Sequence, residues 1–201
     1  MAKIKKTIFI ILAVLAAVGL LSALQILIHR FNKPIDQPGP DISGNACLIW
    51  GAEENESAII PAKASLTRKH YVFGNNDDGI CLNKLQIADR KFSDGDTWIY
   101  WNMMQNEQGA AIDISGDEDF NFFYSSADMD ILIFGVCDAS RMIDGDSNLN
   151  LSGKKAVLVM PADNRKTAHN ALYKARSAGK SGEFLKEWLA ENQLEDLFSF
   201  P

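Results

Sequence analysis

Cysteine is scarce in this chain, with only Cys47, Cys81 and Cys137 among 201 residues. Three cysteines so widely spaced exclude a disulfide-built scaffold and a CxxC-type metal site. Each lies in an apolar run, so two readings stay open: one bridged pair with a thiol left over, or three small core residues. Histidine is equally thin, and beyond His29 only His70 and His169 remain. No G-x-S-x-G elbow is present, so nucleophilic catalysis has no local support and no catalytic residue is assigned. Gly179-Lys180-Ser181 has the ending of a phosphate-binding loop, but Lys174 stands where the pattern needs its earlier glycine. That excludes nucleotide binding there.

Charge is missing altogether from Ile8 to Ile28, and no acidic residue precedes Asp36. As a helix rising ~1.5 Å per residue, 21 such positions span about 30 Å, the thickness of a hydrocarbon core. A buried soluble helix would be shorter and one-sided. A cleavable signal peptide has the same basic start, but its apolar region runs to ~7–15 residues and ends in a small-x-small site. Here the apolar run continues past Leu21, Ser22 and Ala23. The reading adopted is therefore an uncleaved signal anchor over residues 8–28 that contacts the lipid bilayer. Lys3, Lys5 and Lys6 precede it while Arg30 and Lys33 follow, which places residues 1–7 in the cytoplasm and the rest outside. Ala13 with Ala17, and Gly19 with Ala23, are small residues four apart, a spacing that allows weak self-association of the helix.

Setting aside Lys3, Lys5, Lys6 and Arg30 leaves 16 basic against 26 acidic residues, a net charge of −10 for the remainder. Such a domain repels a phosphate backbone, so nucleic acid is not an expected partner. The charge is uneven. From Ile112 to Ser147 nine acids meet only Arg141, whereas from Lys154 to Lys186 eight basic residues meet only Asp163 and Glu183. Either the two regions neutralise one another across the fold, or they form a bipolar surface that steers a partner.

With 47% apolar and 23% charged residues the chain has the composition of a folding domain. Residues 29–45 carry Pro34, Pro38 and Pro40 and read as an extended tether. The domain is expected over residues 46–201. Short apolar or alternating runs follow at Ala46–Trp50, Ala58–Pro61, Tyr71–Phe73, Ile80–Ile87, Thr97–Met103, Ala110–Ile114, Phe120–Tyr124, Met129–Cys137 and Lys155–Met160. Turn-forming clusters of Gly, Asn, Asp and Ser separate them, which implies about eight short strands in a mainly antiparallel sheet. After Pro161 the period changes. Asp163 or Asn164 can cap a helix bearing Ala168, Ala171, Leu172 and Ala175, and a second helix from about Ser181 carries Phe184, Leu185, Trp188 and Leu189. The fold class is α+β, with two C-terminal helices packed on the sheet.

Polar sites are few. Asp144, Asp146 and Asn148 start like a calcium loop, but Leu149 replaces its glycine and Lys155 its closing glutamate, so they remain weak metal candidates and no cofactor is expected. Trp98, Tyr100 and Trp101 are the binding candidates, Trp98 and Tyr100 on one face of a strand and Trp101 on the other. The Asn55-Glu56-Ser57 and Asn150-Leu151-Ser152 triplets fit glycosylation acceptors only in a eukaryotic secretory route. The chain thus reads as a non-enzymatic single-pass protein, periplasmic if bacterial and held in the inner membrane. Its acidic outer domain would bind a protein or cell-envelope component in an accessory, assembly or inhibitor-type role. The alternative is an anchored hydrolase using carboxylates at Asp94–Asp96, Asp117–Asp119 or Asp128–Asp130.

Overall fold

The computed structural model describes residues 2–31, 34–71, 79–93, 97–100, 109–114, 117–143 and 151–198. The first element, α1 (Ala2–Phe31), is a single helix with no polar side. Among the described residues no helix is long and apolar enough to cross a membrane. The unbroken run of α1 whose side chains are described, residues 13–28, rises about 24 Å against a hydrocarbon core of about 30 Å.

Ten strands then build one antiparallel sheet. They are β1 (Pro34–Pro38), β2 (Ile42–Ile49), β3 (Ser57–Tyr71), β4 (Gly79–Ile87), β5 (Arg90–Ser93), β6 (Thr97–Tyr100), β7 (Gly109–Asp113), β8 (Phe120–Ser126), β9 (Leu132–Val136) and β10 (Ala156–Met160). The main path runs β5-β4-β3-β2-β10-β9-β8-β7, with β1 paired to the far end of β3 and β6 to the start of β4. Two C-terminal helices follow, α2 (Arg165–Arg176) and α3 (Gly179–Glu191). The α+β class, the antiparallel sheet and the paired final helices thus match the sequence reading.

Two differences have physical causes. Residues Pro34–Pro38, within the stretch read as a tether, pair rung by rung with β3 from Pro34 opposite Tyr71 to Pro38 opposite Thr67. Prolines suit this position because an edge strand does not need every N–H in a ladder. The short runs expected at Ala58–Pro61 and Tyr71–Phe73 belong instead, as far as Tyr71, to the continuous β3. Pro61 interrupts nothing: its carbonyl accepts from Ala88 N at 2.8 Å. In a strand the N–H and C=O of one residue point the same way, so the missing donor of Pro61 points past Ile87, the last residue of β4.

Alternation along the strands makes two cores. One face of the sheet contributes Ala46, Leu48, Leu66, Ile80, Leu82, Phe123, Phe134, Leu158 and Met160 to an inner cluster. The sheet curls around this cluster as a half-barrel, and its register shifts in β3, β4 and β8 are the bulges that sharpen such a bend. Curling brings β5 against β8: the rings of Phe92 and Phe120 meet edge-on with centroids 5.0 Å apart. Beside them Arg90 Nη2 lies 3.7 Å from Asp119 Oδ2. The opposite face contributes Cys47, Ile49, Phe122, Tyr124, Ile133, Val157 and Val159, which α2 and α3 cover with Ala168, Leu172, Ala175, Leu185, Trp188 and Leu189. Burial on both faces explains why β9 and β10 are apolar at nearly every residue.

The helices come close because glycines let them. A Cβ on Gly135 would lie 2.2 Å from Trp188 Cζ2, so only a bare backbone lets that indole lie on β9. Gly182 does the same between the helices, where a Cβ would meet Arg176 O at 2.5 Å.

Candidate functional site

The helix α2 is the most basic element of the domain, holding Arg165, Lys166, Lys174 and Arg176 with no acidic residue. Its start is fixed by Asn164, whose side-chain oxygen accepts from Thr167 N at 2.9 Å and from Thr167 Oγ1 at 2.7 Å. That satisfies an N–H group the first turn would otherwise leave without a partner. Ala168, Leu172 and Ala175 turn inward, which sends Lys166, Asn170, Tyr173 and Lys174 to the surface. Tyr173 is 70% exposed.

Arg165 ties this helix to the rest of the molecule. Its Nη2 donates to Gly51 O at 2.5 Å and Ala52 O at 2.8 Å, its Nη1 to Glu53 O, and its Nε to His169 Nε2 at 3.1 Å. The planar fork is suited to several carbonyls at once. Burial, and then the Arg165 charge, depress the His169 pKa, while a backbone hydrogen bond at Leu197 opposes them. His169 is therefore the neutral acceptor for Arg165. Burial also pushes the Cys47 thiol up to about 11, although the Arg165 charge opposes it. A protonated thiol with no exposed surface is a packing group, so Cys47 and His169 do not form a nucleophile and base. All three cysteines are free thiols, Cys47 and Cys81 buried and Cys137 half-buried.

Behind the last turn of α2 lies a recess of about 290 Å³ between that helix and the turn joining β8 to β9. Ile131, Ala175 and Ala178 form apolar walls, and Tyr124, Ser126 and Lys174 add the polar groups. Ser126 Oγ donates to Asp130 Oδ1 at 2.6 Å and accepts from the backbone of Asp130 and Ile131 at 3.1 and 3.0 Å, so it is committed to holding the turn. Tyr124 is 2% exposed. Burial, with the Asp130 charge adding to it, pushes its pKa to about 12, so the phenol keeps its proton and remains a donor.

A second cleft of about 400 Å³ is lined by Trp50, Lys154, Lys155, Asn192 and Gln193. Its lysines are engaged in structure: Lys155 Nζ donates to Asn192 Oδ1 at 2.7 Å and Lys154 Nζ lies 3.8 Å from Glu56 Oε1. No family model matches the chain, and no curated protein or solved structure matches it either. The reading of the sites therefore rests on their chemistry.

Of the residues singled out in the sequence, Trp98 and Tyr100 lie on β6 opposite Cys81 and Gly79, and their side chains are outside the described set. Trp101, Asp144, Asp146, Asn148 and the Asp94–Asp96 pair also lie outside the described residues. Asp117 and Asp119 are adjacent but structural. Asp117 Oδ1 accepts from Asp119 N at 2.7 Å and Phe120 N at 2.9 Å, shaping the turn into β8. Asp119 Oδ1 sits 3.0 Å from Arg141 Nε, and Arg141 Nη2 is 3.6 Å from Glu118 Oε2. Asp130 holds Ser126, and Asp128 is exposed. The recess went unnoticed in the sequence because Tyr124 sits in an apolar strand and Lys174 on a charged helix, 50 positions apart.

Proposed function

We propose that the protein is a single-pass membrane protein whose α+β domain lies outside the membrane and binds a protein or cell-envelope component. The observation that carries the first half is the surface of α1. Among the described residues, its large apolar side chains between Ile10 and Leu27, including Val14, Leu15, Val18, Leu20, Leu21 and Leu24, are 51–73% exposed. Water penalises apolar surface by roughly 25 cal/mol per Å², whereas acyl chains do not. The uncharged stretch 8–28 supplies, as a sequence, the 21 residues that a bilayer-spanning helix needs. In the sequence, only residues 32 and 33 separate it from β1.

Binding is favoured over hydrolysis by what the carboxylates do. Asp117, Asp119 and Asp130 are occupied in turns and ion pairs that hold the fold. A catalytic pair needs two carboxyls in unequal environments that are free to exchange protons with a substrate. The anchor is tested by alkaline carbonate washing of membranes from cells making the full chain. The protein should stay in the pellet, and Leu15→Arg with Leu20→Arg should release it into the supernatant. Release of the unmodified chain would contradict the anchor.

A further inference from the structure

We propose that the outer face of α2, with the recess behind its last turn, is where the domain docks an acidic segment of a partner protein. The inference rests on the protein-binding reading above and adds where the partner sits and what chemistry it carries.

Charge is the first argument. A helix with four basic residues and no acid stands in a domain whose remaining sequence is strongly acidic. Several acids that could compensate it are held in other contacts: Asp163 accepts from Asn45 Nδ2 at 3.0 Å, Asp119 lies with Arg90 and Arg141, and Glu118 with Arg141. Lys166 and Lys174 thus present positive charge on a fixed, exposed surface.

Shape is the second. Lys166, Asn170, Tyr173 and Ser177 follow one another at helical spacing, so they form a single stripe along α2. Tyr173, with 70% of its surface in solvent, is the largest exposed apolar group on either final helix, and a tyrosine ring offers much contact area at little conformational cost. Beside it the recess of about 290 Å³ has room for one apolar side chain between Ile131, Ala175 and Ala178. At this recess Tyr124 supplies an O–H donor for a backbone carbonyl, and Lys174 supplies an ammonium for a carboxylate. The surface is preorganised, because the Asn164 cap and the Arg165 fork fix α2 before any partner arrives.

A polypeptide fits this better than a nucleic acid. A peptide can place one carboxylate at Lys166 and another at Lys174, whereas a continuous phosphate backbone would also meet the acidic remainder of the domain.

The test uses the full chain in its native membrane, with Tyr173 replaced by the photoreactive p-benzoylphenylalanine, and separately Ile59 and Ile35, exposed residues on β3 and β1. After irradiation the cross-linked peptides are sequenced by mass spectrometry. The proposal expects a protein cross-link at position 173 to a segment of net negative charge. It should fall about tenfold with Lys166→Glu plus Lys174→Glu and be unchanged by Lys63→Glu on β3. Tyr124→Phe, which keeps the volume and removes the hydroxyl, should weaken it by severalfold. Protein cross-links at position 59 or 35 but not 173 would overturn the docking site and leave the protein-binding reading standing. No protein cross-link at any position would overturn both. Cross-links at 173 to nucleic acid or lipid, to a basic segment, or insensitive to the charge reversal would overturn the proposal.

Discussion

Trp188 lies flat against Phe122, ring centroids 4.9 Å apart and planes 26° from parallel, with its indole edge over the bare backbone of Gly135. This contact couples α3 to the sheet through the absence of a side chain. Gly135→Ala would set a Cβ 2.2 Å from Trp188 Cζ2 and 2.7 Å from Asn121 Oδ1. The helix must then lift, at a cost of about 1–3 kcal/mol or more. Trp188→Ala alone should cost about 3–5 kcal/mol. In that background Gly135→Ala should cost less, only the 2.7 Å approach to Asn121 Oδ1 remaining, and a double-mutant cycle by urea unfolding measures the coupling.

Arg165 closes the gap between the start of α2 and residues 51–53. Removing it as Arg165→Ala leaves three carbonyl oxygens without their donor, a loss of about 1–3 kcal/mol. Arg165→Lys should recover only part of that, since one ammonium cannot reproduce the fork. Hydrogen exchange should quicken at residues 51–56 and in the first turn of α2, and remain unchanged in β9 and β10.

His169 sets a direction for the pH dependence. Its folded pKa is depressed below the ordinary 6.5, first by burial and then by Arg165. The folded state therefore binds its proton less readily than the unfolded chain. Its contribution is complete above about pH 6.5 and declines as the pH falls through and below that value. Melting temperature should drop on acidification from pH 7 to pH 5, and His169→Gln should flatten that part of the profile.

The thiols differ in reach. Cys137 is half-buried, and its pKa is raised by burial and by Asp117 and Asp119. A maleimide should label Cys137 alone in the native protein, faster as the pH rises. Cys47, with its thiol pushed to about 11, holds only ~0.1% thiolate at pH 8 and should react only on unfolding. Cys137→Ser should abolish native labelling.

The parts of the fold legible in sequence were those with a strong period. The helical stripes of α2 and α3 and the apolar runs of β8, β9 and β10 carry their burial pattern openly. What escaped notice was weakly patterned. Inner residues of β3 include the small Ala62 and Ala64, while its outer positions carry Lys63 and Ser65, a contrast too slight to read as a long strand. β1 was masked by its prolines, which signal an extended chain without saying that it pairs. The recess needed tertiary structure, because nothing local in Tyr124 or Ala178 tells that they share it.

The central claim is that α1 holds the domain outside a membrane, and dual C-terminal fusions test it most directly. Alkaline phosphatase fused after Pro201 should be active, and green fluorescent protein at the same position dark, in a bacterial host. Fluorescence without phosphatase activity would place the domain in the cytoplasm and contradict the account.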